Sequence, residues 1–318
     1  MQKVVVVALL LFGLGLFSIV QGQNAFLSER DYIRTSADPA NGFSFPYYLY
    51  VPSDVAEDPG SPHTILVYPN NTGKISDDLG VHEADVKSNM SRMGGITALL
   101  KVAVLIPVFP RPESDWHTYT HALDRDTMLT KKDYGRLDLQ LIAMIDDARK
   151  RLKNKGLNFD KRVLMSGFSA QGMFANRFTF LHPDRVKAAT IGSPGGWPIA
   201  PVEKYKDKDL RYPIGIADIK AVSGKKLDMA TLRKVPLFVF IGDKDTNDSV
   251  PFDDSYDQED RDLINPLFGT TPVGRWAISE ELYKQAGLNA TFKRYPGVTH
   301  TITDAMRDDI RAFLLKYR

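Results

Sequence analysis

The segment Arg162-Val163-Leu164-Met165-Ser166-Gly167-Phe168-Ser169-Ala170-Gln171-Gly172 decides how the rest of this chain is read. A short apolar run leads straight into a serine flanked by small residues, and a helix-like stretch comes next. That is the layout of a strained strand-to-helix turn, which lifts a serine hydroxyl clear of a sheet. A serine hydroxyl is a poor nucleophile until a base takes its proton, so it must protrude toward that base. An unfavourable backbone conformation achieves this and leaves no room for large neighbours. Gly167, two residues before Ser169, fits the demand. The usual pattern is G-x-S-x-G, however, and here Gln171 takes the last position with Gly172 one step later. Either the packing there is looser or the Gln171 side chain points outward. The bland alternative is an ordinary strand-helix turn, so the weight of the segment depends on the residues downstream of it.

An acid and a histidine stand downstream in matching places. The run Val235-Pro236-Leu237-Phe238-Val239-Phe240-Ile241 is continuously apolar and ends in Gly242-Asp243-Lys244-Asp245. Such a run, bounded by turn residues, suits a buried parallel strand. Asp245 then stands just past its carboxyl end, where open α/β sheets place functional groups. Asp243 competes for the same role; the loop spacing favours Asp245 and leaves Asp243 to stabilise the turn. Ala290–Tyr295 reads as the last strand and Pro296-Gly297-Val298-Thr299-His300 as the loop after it. The order Ser169, Asp245, His300 is that of α/β-hydrolase triads, not of chymotrypsin or subtilisin types.

On these residues the chain resembles secreted α/β-hydrolases of the esterase and polyhydroxybutyrate-depolymerase-like group, which includes feruloyl and acetylxylan esterases. The matching pieces are Phe45-Pro46-Tyr47-Tyr48-Leu49-Tyr50-Val51-Pro52, the turn at 167–172, Gly242–Asp245 and Gly297–His300. The chain departs from the group at Gln171 and in lacking a His-Gly-Gly loop. The resemblance implies an α/β-hydrolase fold, a mainly parallel sheet with helices on both faces. It also implies cleavage of a carboxylic ester, small or polymer-linked, by Ser169 with His300 as base and Asp245 as its orienting acid. An oxyanion hole needs two preorganised N–H donors. In this fold one comes from the residue after the nucleophile, here Ala170, and one from the loop after the third strand, here Asn70 or Asn71. A plain Asn-rich turn is the competing reading of that loop. A peptidase or amidase, or a non-catalytic binding protein on the same scaffold, are the alternatives.

Composition narrows the partners. A net charge of +2 over 318 residues gives no reason to expect nucleic acid or an anionic membrane surface. Cysteine is absent, which excludes disulfides, a thiolate nucleophile and cysteine-ligated zinc. No metal and no organic cofactor is expected. Lys3, the apolar run Val4–Val20 and Gln21-Gly22-Gln23 suit a secretory signal peptide cut after Gly22, with an uncleaved anchor as the rival. The mature chain, 23–318, is then expected to be secreted or periplasmic and off the membrane. Sequons at Asn70, Asn89, Asn247 and Asn289 are read as chance, since two fall in loops assigned to the site.

From about residue 45 apolar runs alternate with helix-like segments, the mark of a mainly parallel sheet covered on both faces. Opening antiparallel strands are expected at Phe43–Val51 and in the stretch before it, and further strands at His63–Tyr68, Val102–Val108, Lys161–Ser166 and Lys187–Ile191, besides the two above. Helices are expected at Glu83–Leu100, Tyr134–Lys155, Met173–Leu181, Gly274–Ala286 and Thr303–Lys316. In Tyr134–Lys155, Leu137, Leu141, Ile145 and Ala148 recur at helical spacing. One domain with two irregular insertions, 194–234 and 246–273, should place those insertions above Ser169. Trp116 and His117, after the fourth strand, and Trp197 in the first insertion are candidate substrate contacts. His182 reads as a capping or surface residue. Asp243, Asp245, Asn247 and Asp254 imitate a calcium-loop spacing, but Asp248 stands where that loop needs glycine and no glutamate closes it.

Overall fold

The computed structural model describes residues 27–318 apart from Glu29 and Thr72. The expected signal segment, 1–22, lies outside the described residues. Eight strands form one sheet: β1 (Tyr32–Thr35), β2 (Tyr47–Tyr50), β3 (Ile65–Val67), β4 (Ala103–Pro107), β5 (Val163–Phe168), β6 (Val186–Gly192), β7 (Leu237–Gly242) and β8 (Ala290–Tyr295). Their order is β1-β2-β4-β3-β5-β6-β7-β8. The first two pairings, β1 with β2 and β2 with β4, are antiparallel. Every later pairing is parallel. The strand order reverses between β3 and β5, so their exit loops diverge and leave a crevice above their carboxyl ends. Those two loops are Pro69–Gly73 and the Ser169 turn.

Alternation along the strands sorts side chains to two faces. Ile65, Val67, Leu105, Met165 and Val239 meet helix α3 (Leu137–Lys153) and helix α4 (Ala170–Leu181). On the opposite face, Leu66, Val104, Leu164 and Phe240 meet helices α1 (Leu79–Ser91) and α2 (Gly94–Leu100) and the C-terminal helix, Asp304–Leu315. The single helix expected over Glu83–Leu100 is thus two. Gly94 and Gly95, poor helix formers, follow the break at Arg92-Met93.

The two insertions are less irregular than their composition suggests. The first carries a short hairpin, Lys204–Tyr205 with Lys208–Asp209. The second carries helix α5 (Gln258–Phe268), which the acidic stretch Asp253–Asp262 disguises as a solvated face. Asp257 and Asp260 instead form a reciprocal capping box at the start of α5. Together the insertions bury a core of their own from Trp197, Leu210, Ile214, Val250, Tyr256 and Phe268. Two buried arginines tie it to the body. Arg177 of α4 donates to Ala122 O and Tyr256 Oη, both at 2.9 Å. Arg275, from helix α6 (Pro272–Gln285), donates to Gly196 O at 3.1 Å and to Asp248 Oδ1 at 2.8 Å, one partner from each insertion. The C-terminal helix is α7 hereafter.

Candidate active site

Ser169 sits between β5 and α4 with φ 61° and ψ −129°, a conformation that costs a non-glycine residue about 1–3 kcal/mol. Its N–H donates to Gly192 O at 2.9 Å, which pins the turn to β6. The neighbours explain the glycines. A Cβ on Gly167 would lie 2.3 Å from the Gln171 carbonyl, and one on Gly172 would lie 2.5 Å from Gly192 O. The close approach to β6 therefore falls at Gly172, one residue later than the usual pattern places it. Gln171 is neither loosely packed nor turned outward. It is buried, and its Nε2 donates to Pro69 O at 2.7 Å, which joins the serine turn to the β3 exit loop.

His300 and Asp245 meet across the exits of β8 and β7. His300 Nδ1 lies 2.9 Å from Asp245 Oδ2, with the Asp245 side chain fully buried and the imidazole about a quarter exposed. A carboxylate can only accept here, so Nδ1 carries the proton and Nε2 is left as the basic nitrogen. Burial pushes the Asp245 carboxyl up, but the His300 hydrogen bond and the Asn247 N–H outweigh it and hold it below the ordinary range. Asp243 accepts the Gly297 N–H at 2.7 Å and so clasps the His300 loop to the β7 exit. Phe168, the residue before the serine, places its ring 4.8 Å from the imidazole. Among the described residues Ser169 Oγ forms no hydrogen bond with His300; such contacts commonly tighten only with substrate bound.

The β3 exit loop is held from three sides. Besides Gln171, the Asn70 side chain donates to Phe109 O at 2.8 Å and accepts the Phe109 N–H at 3.1 Å. The Asn71 N–H is taken by the Asp85 carboxyl of α1, which burial pushes up to about 6. Of the two candidates in this loop, the Asn71 N–H therefore already has a partner. Ala170 begins α4, whose first turn has no side-chain cap. Its N–H groups and the positive end of the helix dipole suit a developing negative charge.

Beside His300 lies a cleft of about 590 Å³ lined by Thr246, Asn247, Asp248, Pro251, Phe252 and Thr299. All but Thr299 come from the second insertion, and Phe252 is 62% exposed. Sequence reasoning missed Phe252; an aromatic residue beside Pro251 in a loop after the acid was the available signal. The tentative contacts fare differently. Trp197 is buried, donates from its indole to Ile214 O at 2.8 Å and stacks on Phe268, so it packs the insertion core and cannot touch substrate. Trp116 and His117 stack on each other at 3.7 Å on the β4 exit loop and do not line this cleft. The acids of the calcium-like spacing are dispersed, Asp243 to the Gly297 N–H, Asp245 to His300 and Asp254 to Arg111. Among the described residues no group of three His, Asp or Glu is placed to hold a metal ion, and no helix is long and apolar enough to cross a membrane.

Two further histidines are structural. His182 is the C-cap residue of α4, its N–H donating to Phe178 O, but it is buried and not at the surface: its Nε2 meets Asp138 Oδ2 at 2.8 Å and its Nδ1 faces Lys225 Nζ at 3.0 Å. His121 is buried behind Asn70, with Nε2 2.8 Å from Phe109 O, and burial pushes its pKa down to about 3. An unfolded histidine titrates near 6.5, so between these values the unfolded chain binds the extra proton. Stability from His121 is complete above about pH 6.5 and falls as pH drops, by about 2 kcal/mol at pH 5. Asp124, whose carboxyl burial pushes up to about 7, works in the opposite sense. The comparison of wild type with His121→Gln isolates the histidine. In urea unfolding at pH 7.5 and pH 5, acidification should cost wild type about 2 kcal/mol more than the variant. Equal responses would mean that His121 is protonated in the native state.

The strand order, the antiparallel start and the loops after β5, β7 and β8 define an α/β-hydrolase fold. Solved structures agree. The chain is similar to poly(aspartic acid) hydrolase-1 from Sphingomonas sp. KT-1, with a TM-score of 0.53 and 20% identity, over 88% of this chain and 96% of that one. It is similar to a poly(3-hydroxybutyrate) depolymerase from Bordetella parapertussis at TM-score 0.53 and 18% identity, over 90% of each chain. An S-formylglutathione hydrolase from Agrobacterium tumefaciens gives 0.50 and 14%, over 90% of this chain and 94% of that one. No protein-family model matches the chain, and no curated protein matches it by sequence.

Proposed function

We propose that this protein is a serine hydrolase of carboxylic esters. The observation that carries the reading is the His300–Asp245 hydrogen bond at 2.9 Å at the same sheet rim as the strained Ser169 turn. In this scheme Ser169 Oγ attacks the ester carbonyl while His300 Nε2 takes its proton. Asp245, ionised and buried, orients the ring and stabilises the imidazolium. The Ala170 and Asn70 N–H groups hold the oxyanion. His300 then returns the proton to the leaving alcohol, and water, activated by the same nitrogen, releases the acid. The cleft toward Phe252 would receive one side of the ester. The sequence of residues 1–22 supports export of the mature chain to the periplasm or medium.

The test is steady-state hydrolysis of p-nitrophenyl acetate and butyrate beside the matching p-nitroanilides, with fluorophosphonate labelling of the same sample. Ester turnover and labelling, with the anilides at least a hundredfold slower, is the expected result. Anilide turnover at the ester rate would replace the ester reading by an amidase. Absence of labelling with a folded chain would leave a binding protein on a hydrolase scaffold.

A further inference from the structure

A second cavity lies behind the triad rather than above it. It occupies about 630 Å³ between the sheet, helices α1 and α2, and α7. Well-packed interiors hold few voids larger than a water molecule. Small-molecule sites, by contrast, run to about 300–1,000 Å³. The wall is mixed, with Leu66, Ile96, Phe168, Phe240 and Ile310 apolar and Tyr68, Asn89 and Ser166 polar. The mouth carries three arginines, Arg92, Arg307 and Arg311, against one lining carboxylate, Asp304. Gly95 is also in the wall, and a Cβ added to it would meet no atom within 4 Å, so the helix itself is cut back there.

The arginines are only lightly engaged. Arg307 donates to Asp304, whose side chain is 94% exposed, and to Ile302 O. Arg311 reaches Asp308, 74% exposed, at 3.3 Å. Arg92 donates to Ser88 Oγ at 3.0 Å. Exposed ion pairs of this kind contribute about 0–1 kcal/mol, so a competing anion displaces them at little cost. Guanidinium groups present planar forks that match a carboxylate bidentately. Apolar side chains beside a cationic mouth suit an amphiphilic anion such as a carboxylate on an alkyl chain.

We propose that this crevice is a binding site for medium-chain monocarboxylates, with the carboxylate at Arg307 and Arg311 and the chain against Phe168 and Phe240. It goes beyond the ester-hydrolase reading and stands without it. The site is separate from the Ser169 rim, although Phe168 belongs to both: its ring lines the crevice and lies 4.8 Å from the His300 imidazole.

The test is calorimetric titration of the mature chain, after fluorophosphonate treatment, with octanoate, octanol and acetate. Octanoate should bind one per chain at least tenfold more tightly than octanol or acetate. Arg307→Gln and Arg311→Gln should each weaken octanoate about three- to tenfold, as loss of one solvent-exposed hydrogen-bonding partner does. Gly95→Leu, which fills the crevice from a helical position, should remove binding while melting at or above the wild-type temperature. Equal affinity for octanol would make the site a plain apolar void and overturn the proposal. So would octanoate binding that survives Gly95→Leu unchanged, because the ligand would then sit elsewhere. Should Gly95→Leu fail to fold, the paired Arg307→Gln, Arg311→Gln variant decides: octanoate affinity unchanged in that chain overturns the carboxylate assignment.

Discussion

Replacing Ser169 by glycine should abolish ester turnover and at the same time stabilise the protein. The two effects have different origins, which makes the pair informative. Loss of the nucleophile should lower kcat by about 10⁴-fold or more, with the remaining acceleration over water coming from the oxyanion donors and substrate binding. Ser169→Ala should lose as much. Stability separates the two variants. At φ 61° and ψ −129° any residue with a Cβ is strained, and alanine keeps that strain. Glycine adopts the conformation freely, at an unfolded-state entropy cost of about 0.5–1 kcal/mol. Set against about 1–3 kcal/mol of relieved strain, Ser169→Gly should be about 1 kcal/mol more stable than Ser169→Ala in urea unfolding. A glycine variant less stable than the alanine variant would mean that the turn stores no strain. Turnover retained by either would remove Ser169 as nucleophile.

The strands were legible because a sheet buried on both faces writes itself as continuous apolar runs. Ala290–Tyr295 matches its strand to the residue, and the other expected strands differ from the observed ones by a few residues at their ends. The loops after β5 and β7 could be found because each follows such a run; β8 is the edge strand, with Thr291, Lys293 and Arg294 exposed. The rest was hidden for physical reasons. Arg92–Gly95 sits inside a helical pattern, and the pair Gly94-Gly95 is the sign in the sequence that the helix breaks there. Asp257 and Asp260 look like surface charge until their reciprocal cap is seen. Trp197 reads as a substrate contact, yet Phe268, about seventy residues later in sequence, stacks on it. His182 beside Pro183 reads as a helix end; its burial depends on Asp138, one helix earlier. Long-range partners of polar groups leave no periodic trace in a single sequence.

Gln171 is the sharpest case, and its substitution should have the second large effect. From the sequence it is a defect in a glycine pattern. In the fold its amide bridges the serine turn and the Pro69–Gly73 loop, the two elements from which the proposed mechanism draws its nucleophile and an oxyanion donor. An oxyanion donor acts only if it is already in place when charge develops; removing one outright costs about 10²–10³ in kcat. Loosening one should cost less. Gln171→Leu keeps the volume and removes the bond to Pro69 O, and should lower kcat about 10- to 100-fold with KM changed less than about threefold. Fluorophosphonate labelling should slow in parallel, since it passes through the same oxyanion hole. Gln171→Gly restores the common motif and loses the same bond. If the bond is what matters, the glycine variant is as slow as the leucine variant; if the motif is what matters, it equals or exceeds wild type. Asn70→Ala supplies the control, because it frees the same loop from Phe109 while leaving Gln171 in place. Combined with Gln171→Leu it should add less than the sum of the two single losses, as expected when two contacts hold one loop. Full additivity would place Gln171 outside the oxyanion support and assign it to packing alone.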